Sequence, residues 1–153
     1  MKTVAEILAN RKVKNKAFTM IELLVVVAII GILVAAIVVA FVSARQKSRD
    51  ARRKTDLKNI QVALQLYSDD HEGKYPTGIY GSGPDNGLTS GGYMSNVPHD
   101  PNGSGYFYGI SSDRKDYALG ARLENGRDAV LKEDLDGIKY GVNLDDPVYG
   151  ISD

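Results

Sequence analysis

The sequence predicts an α+β protein in which a long N-terminal α-helix packs its second half on a small C-terminal antiparallel β-sheet. Three observations lead to this prediction. An unbroken apolar stretch covers residues 18–42, and a charged stretch with helical spacing of its apolar residues continues it to residue 72. Short strand-like runs between glycine-rich turns then occupy residues 73–153, where we expect roughly three or four strands.

The apolar stretch at residues 18–42 has the length of a membrane-spanning helix. Its 25 residues contain one charged side chain, that of Glu22, and no proline. As an α-helix it would extend about 37 Å, which is enough to cross a bilayer with some tilt. A secretory signal peptide cleaved near residues 42–44 is a second interpretation, although its apolar region would be unusually long. An unprocessed single-span anchor is a third interpretation.

Residues 43–72 continue the predicted helix as an amphipathic segment. They contain neither proline nor glycine, and Gly73 and Pro76 follow as signals that end a helix. Four apolar residues share one face of this segment, at spacings i, i+3, i+7 and i+10, and we expect them in the core: Leu57, Ile60, Leu64 and Tyr67. The predicted helix therefore runs from about residue 18 to about residue 72 and is roughly 80 Å long.

The C-terminal part, residues 73–153, has a composition rich in glycine and tyrosine. It begins with a predicted loop at residues 74–105, which contains four of the five prolines of the chain. We expect Tyr106, Tyr108 and Tyr117 to lie in strands that pack on the helix. Four segments have strand character, the last two more weakly: 106–110, 116–123, 129–131 and 138–144.

The charges are segregated along the chain although the formal net charge is zero. Residues 45–58 carry seven basic and two acidic side chains, whereas the chain from Asp69 onward carries seven basic and fifteen acidic ones. We interpret the basic run as a solvated helix face, with contact to lipid headgroups or to acidic parts of neighbouring copies as alternatives. No nucleic-acid partner is predicted, because the run adjoins the apolar stretch. The absence of cysteine excludes disulfides and thiolate metal sites.

The junction between the basic N-terminal segment, residues 1–17, and the apolar stretch places a carboxylate where it is costly. Glu22 would lie in hydrocarbon, where a charged side chain costs at least about 2.5 kcal/mol. No Lys, Arg or His between residues 18 and 42 could neutralise it. Cleavage after Ala17 would create a partner, because the new α-amine on Phe18 is positively charged near neutral pH. Glu22 of one copy could then pair with the Phe18 amine of its neighbour.

The sequence KAFTMIELLVVVAIIGIL at residues 16–33 resembles the class III signal sequence of type IV pilins and of the related pseudopilins of type II secretion and DNA-uptake systems. The resemblance implies a leader that prepilin peptidase removes after Ala17, N-methylation of Phe18 and a role of Glu22 in assembly. It departs from the family pattern at Ala17, since a glycine usually precedes the cut.

The resemblance implies a structural subunit that polymerises with itself into a type IV pilus-like filament. The implied partners are prepilin peptidase, an inner-membrane assembly platform and, before assembly, the lipid bilayer. The subunit would be a single-pass inner-membrane protein with a cytoplasmic N-terminus, and then part of an extracellular or periplasmic filament. A major pseudopilin of a secretion or DNA-uptake system and a membrane-anchored binding domain that never polymerises are the alternatives. The chain divides into a leader, a membrane-spanning half-helix, an amphipathic half-helix and a globular part: 1–17, 18–42, 43–72 and 73–153.

The sequence contains no catalytic constellation, so we predict that the chain is not an enzyme. Asp100, between two prolines, is predicted to be a turn residue. The motifs call for no cofactor, but acidic residues near the C-terminus leave calcium open, since some major pseudopilins bind calcium in a C-terminal loop. The acids concerned lack the spacing of an EF-hand, and a solvated turn is the alternative: Glu133, Asp134, Asp136, Asp145 and Asp146.

Overall fold

The computed structural model of the chain describes residues 18–81, 83 and 87–153. The predicted leader at residues 1–17, with Ala17 at its end, lies outside these residues. Within the described part of the chain, one long α-helix precedes five strands and a short 3-10 helix. In chain order the elements are α1 (Met20–Asp70), β1 (Phe107–Ile110), β2 (Tyr117–Arg122), the 3-10 helix (Ala129–Lys132), β3 (Ile138–Lys139), β4 (Val142–Asn143) and β5 (Val148–Ser152).

Helix α1 ends close to the predicted boundary. The backbone N–H of Gly73 donates a hydrogen bond to the carbonyl of Ser68 at 2.9 Å, which closes the last turn of the helix. Gly73 has a φ of +75°, and Glu72 before it has a φ of 59°. Glycine adopts this left-handed conformation at little cost, so Gly73 fits the role of helix terminator that the sequence predicted.

The chain divides into two compact units, one up to Phe41 and one at Val42–Asp153, which we call the stem and the head. The described large apolar side chains of the stem are all exposed, from Val25 at 49% to Met20 at 92%. By length and composition, α1 includes a stretch that could cross a membrane. The described part of the stem therefore has no apolar core of its own.

The core of the head forms between the second half of α1 and the sheet. The predicted core residues of α1 are all 0% exposed: Leu57, Ile60, Leu64 and Tyr67. Leu119 of β2 and Tyr149 of β5 belong to the same buried cluster. Tyr106 and Tyr117 are buried in it and Tyr108 packs against it. Tyr108 and Tyr117 lie in strands as predicted, whereas Tyr106 lies one residue before β1.

The sheet has three antiparallel strands in the order β1-β2-β5. Phe107 of β1 lies opposite Gly120 of β2, and Ala121 of β2 lies opposite Tyr149 of β5. Strands β3 and β4 form a separate two-stranded sheet. The predicted α+β fold, with a long helix on a small antiparallel sheet, is confirmed.

Two of the weaker strand predictions require correction. Residues 129–131 lie in the 3-10 helix, because the Asp128 carboxylate caps it by accepting a hydrogen bond from the Val130 N–H at 3.2 Å. Residues 138–144 form the short β3–β4 hairpin, because Tyr140 and Gly141 both take positive φ and turn the chain back. Strand β5 was not predicted from the sequence.

Replacing Leu64 by Ala should destabilise the head by about 2–5 kcal/mol, because it removes a fully buried side chain from the core. The matched control is Leu66→Ala, two residues further along the helix, where the side chain is 50% exposed. That change should cost about 0.5 kcal/mol or less. Urea unfolding of the full-length chain in detergent micelles measures both, and equal losses for the two variants would contradict this packing.

Candidate functional site

The N-terminal end of the stem carries a carboxylate within a local hydrogen-bonded cap. Glu22 Oε2 accepts hydrogen bonds from the backbone N–H and the hydroxyl of Thr19, both at 2.8 Å. The Glu22 N–H in turn donates to the Thr19 hydroxyl oxygen at 3.3 Å. This reciprocal arrangement is a capping box, which satisfies N–H groups at the start of α1.

The cap holds the Glu22 carboxylate near the start of the helix, close in sequence to Phe18. The Phe18 side chain is 87% exposed. Glu22 Oε1 accepts no hydrogen bond from the described part of the chain. Because the sequence has no cationic side chain between residues 18 and 42, this oxygen is available to a donor from outside that stretch.

A second group of charged side chains lies in the head and is centred on Arg53, which is 2% exposed. Arg53 Nε and Nη2 donate to Asp100 Oδ2 and Oδ1 at 2.6 and 2.9 Å, which forms a bidentate ion pair. Arg53 Nη1 donates to Asp50 Oδ1 at 2.7 Å and to Glu124 Oε1 at 2.9 Å. One guanidinium therefore joins α1 to the loop before β1 and to the segment after β2.

Asp50 extends this Arg53 cluster to the backbone. Asp50 is 1% exposed, and its two carboxylate oxygens accept hydrogen bonds from the N–H groups of Glu124 and Asn125 at 2.9 and 3.0 Å. Fully paired buried charges of this kind stabilise one geometry, although their net contribution to stability is small. The cluster therefore fixes where the second half of α1 meets the rest of the head.

The basic run at residues 45–58 is therefore not simply a solvated helix face, as the sequence suggested. Arg53 is buried, Arg49 forms an ion pair with Glu124 at 2.5 Å, and Lys54 forms one with Asp128 at 2.9 Å. The interpretation failed because the carboxylate partners outside α1 lie 47 to 75 residues away along the chain. Asp100 does sit in a turn, where its carbonyl accepts a hydrogen bond from Gly103, but it also binds Arg53.

The ion pairs lower the pKa values of the acidic partners. The hydrogen bond from Arg49 holds the pKa of Glu124 at about 2, although partial burial opposes this shift. Burial disfavours the charged form of Asp100, but the Arg53 guanidinium keeps the pKa of Asp100 below its usual range. Since these folded-state pKa values are depressed, the stabilisation is present at neutral pH. It is lost for Glu124 as the pH falls from about 4.5 towards about 2.

A third group consists of three carboxylates near the C-terminus. One oxygen each of Asp134, Asp136 and Asp146 lies within 4.8 Å of the other two. Asp145 is not part of this acidic triad. Its Oδ1 accepts a hydrogen bond from the Gly137 N–H at 3.1 Å. Two of the acids named from the sequence, Glu133 and Asp145, are therefore absent from the triad.

The acidic triad fits the calcium that the family resemblance left open. Calcium prefers carboxylate oxygens, and the Oδ1 atom of Asp134 is buried without a hydrogen-bond partner in the described residues. Burial also raises the pKa of Asp134, as expected for a carboxylate without a cation beside it. If calcium binds, the three side chains would hold the segment after the 3-10 helix against the β4–β5 connection.

Comparison with known proteins shows which family the chain belongs to. The prokaryotic N-terminal methylation motif matches residues 12–38, which include the junction at Ala17 and Phe18. The profile of type II secretion system protein G matches residues 40–136, more than half of the chain. The chain belongs to the type II secretion system protein G family. This is a family of structural pilins and pseudopilins, so the chain is not an enzyme.

The similar proteins include core proteins G of type II secretion systems and a type IV pilin. The type II secretion system core protein G of Vibrio cholerae is 31% identical over 125 residues, which cover 74% of this chain and 85% of that protein. The core protein G of Pseudomonas aeruginosa is 34% identical over 128 residues, covering 74% and 88%. The type IV major pilin protein PilA of Myxococcus xanthus is 41% identical over 54 residues, covering 35% and 24%. No solved structure gave a significant match.

Replacing Arg53 by Met should lower the free energy of unfolding by about 3–5 kcal/mol, because it leaves buried carboxylates without a cation. Arg52→Met is the matched control, since the Arg52 side chain is 64% exposed and its ion pair with Asp56 spans 3.7 Å. That change should cost about 0–1 kcal/mol. Thermal unfolding of both full-length variants provides the comparison. A loss at Arg53 no larger than that at Arg52 would show that the cluster does not fix the helix.

Calcium should raise the thermal stability of the head, by about 2.7 kcal/mol at a concentration 100 times its dissociation constant. The expected reason is that the acidic triad binds the ion only in the folded chain. The double variant Asp134→Asn, Asp136→Asn should lose this effect, whereas Glu133→Gln, one position before the triad, should keep it. Melting curves with calcium and with a chelator provide the measurement. Indistinguishable curves would exclude a calcium site here.

Proposed function

We propose that this chain is a structural subunit that polymerises into a type IV pilus-like filament. One observation carries the proposal: the methylation motif covers the start of a stem whose described large apolar side chains are all exposed. Exposing apolar surface to water costs roughly 25 cal/mol per Å². A lipid bilayer before assembly, and neighbouring stems after it, would remove that surface from water.

Before assembly, the stem would anchor the subunit in the inner membrane. The N-terminus would be cytoplasmic and the head would lie outside, so that the leader at residues 1–17 meets prepilin peptidase. Cleavage between Ala17 and Phe18 and N-methylation of the new Phe18 amine would complete the mature subunit. An inner-membrane assembly platform would then add it to the filament.

In the filament, Glu22 would bind the Phe18 amine of a neighbouring subunit. The capping box supports this proposal, because it uses Oε2 of Glu22 and leaves Oε1 without a hydrogen bond from the described residues. Both charges would leave water together, and a complementary partner offsets much of that cost. The pair would set the axial position of one stem against the next, while apolar packing would supply most of the association.

Among filaments of this class, the relatives favour a pseudopilus of type II secretion. Two proteins named core protein G match 74% of the chain each, whereas the similarity to the type IV major pilin is confined to 54 residues. We therefore infer a major pseudopilin, with a surface pilus subunit as the broader alternative.

Mass spectrometry of the chain purified from cells that carry the secretion machinery should find an N-terminus at N-methyl-Phe18. Glu22→Ala should be inserted and cleaved in the same way but should give no filaments in sheared and pelleted fractions. Thr19→Ala is the matched control: it removes the capping box but keeps the carboxylate, so it should still assemble.

Three results would overturn this account. An intact Met1 in assembled material would exclude processing at Ala17. Normal filaments from the Glu22→Ala variant would exclude the charge pair, and a wild-type chain that stays monomeric under all conditions would favour a membrane-anchored domain instead.

A further inference from the structure

The second half of α1 has an exposed face opposite its buried face, and we call it the outward face. Its members recur at spacings that return to one side of an α-helix. Six of its members, all exposed, are Ala44, Ser48, Arg52, Val62, Leu66 and Asp70. All six lie within the head, on the side of α1 away from Leu57, Ile60 and Leu64.

The outward face carries two large apolar side chains that the head does not cover. Val62 is 61% exposed and Leu66 is 50% exposed. They lie four residues apart and are therefore neighbours on the helix surface. Single exposed apolar residues are ordinary, but here two of them adjoin on one face, between a basic and an acidic side chain.

The charges on the outward face change sign along the helix. Arg52 lies in its first part, with a side chain that is 64% exposed and a distant 3.7 Å ion pair to Asp56. Asp70 lies at its end, exposed and accepting one hydrogen bond from the Tyr93 hydroxyl at 3.1 Å. Along the outward face, the basic Arg52 therefore comes before the apolar pair, and the acidic Asp70 comes after it.

The outward face is self-complementary when two parallel copies are displaced by 18 residues. Eighteen residues make five complete helical turns, about 27 Å, so two residues that are 18 positions apart lie on the same face of the helix. Val62 and Leu66 of one copy then lie level with the small side chains of Ala44 and Ser48 of the next. Asp70 lies level with Arg52. Copies without displacement would instead bring Arg52 beside Arg52 and Asp70 beside Asp70, which repel.

We propose that the outward face binds a second copy of this chain, parallel to the first and displaced by five helical turns. In this contact the Val62–Leu66 pair of one copy packs on the small side chains at positions 44 and 48 of the other. Asp70 of the first copy pairs with Arg52 of the second. The proposal rests on the proposed function, because subunits that enter from one membrane are parallel. It adds a second contact, made with a different neighbouring copy, because the pairing of Glu22 with Phe18 displaces two copies by only four residues, about 6 Å.

Disulfide cross-linking tests the displacement directly, because the chain has no cysteine of its own. The variant Ala44→Cys, Val62→Cys should give a ladder of oxidised dimers, trimers and longer chains in assembled material. Ser48→Cys, Leu66→Cys has the same displacement and should behave alike. There are two controls. The double variant Ala51→Cys, Val62→Cys would cross-link copies displaced by 11 residues, and the single variant Val62→Cys would cross-link copies without any displacement.

The outcomes separate this inference from the proposed function. Pelleted filaments with ladders from both 18-residue pairs, and not from the controls, support the displacement. Pelleted filaments that form a ladder with a control pair, or with no pair, overturn the displacement and leave the filament function intact. Absence of filaments from the wild-type chain overturns both.

A charge exchange provides a second test that does not depend on cysteine. Asp70→Lys should reduce pelleted filaments about tenfold, a factor equal to about 1.4 kcal/mol, because Lys would face Arg52 of the next copy. Adding Arg52→Glu should restore assembly. Glu133→Lys makes the same change in net charge at an exposed position away from α1 and should have no effect. Failure of the double variant to recover, with unchanged melting, would exclude this pairing.

Discussion

The apolar surface of the stem is the constraint on which the rest of this structure depends. A helix from Met20 to Asp70 cannot bury its first part within its own unit, and the large apolar side chains described there are exposed. Such a surface needs lipid or other copies of the chain around it. Glu22 adds a second requirement, because a carboxylate among apolar side chains needs a positive partner and residues 18–42 contain no Lys, Arg or His.

In the head, the second half of α1 is held in a defined position on a small sheet. Apolar packing by Leu57, Ile60 and Leu64 supplies most of the stabilisation, but apolar contacts are not directional. The bidentate pair between Arg53 and Asp100 and the bonds of Asp50 to the backbone after β2 are directional. These contacts give the outward face a fixed orientation, which a repeating assembly requires.

The sequence predicted the parts of the structure that depend on local pattern. The apolar stripe, the helix end at Gly73 and strands β1 and β2 follow from periodicity and turn residues within a few positions. Strand β5 was not predicted, because its five residues contain a glycine and its polar and apolar side chains alternate only weakly. Residues 129–131 have strand-like composition, but Asp128 caps them as a 3-10 helix.

The Arg53 cluster depends on contacts between distant segments, which composition and spacing do not reveal. A signal for Arg53 was nevertheless present: it lies four residues before Leu57 and seven before Ile60, on the same face as the predicted core. A basic residue on an apolar stripe requires a buried acid, although the sequence does not say which one. Asp100, 47 residues away, had the features of an ordinary turn residue.

The structure of the assembled filament by electron cryomicroscopy tests the central claim most directly. The account predicts stems packed side by side in the filament core, with each Glu22 carboxylate within hydrogen-bond distance of the Phe18 amine of a neighbouring subunit. A filament in which the stems lie outside the core, or in which Glu22 faces water with the leader still attached, would contradict it.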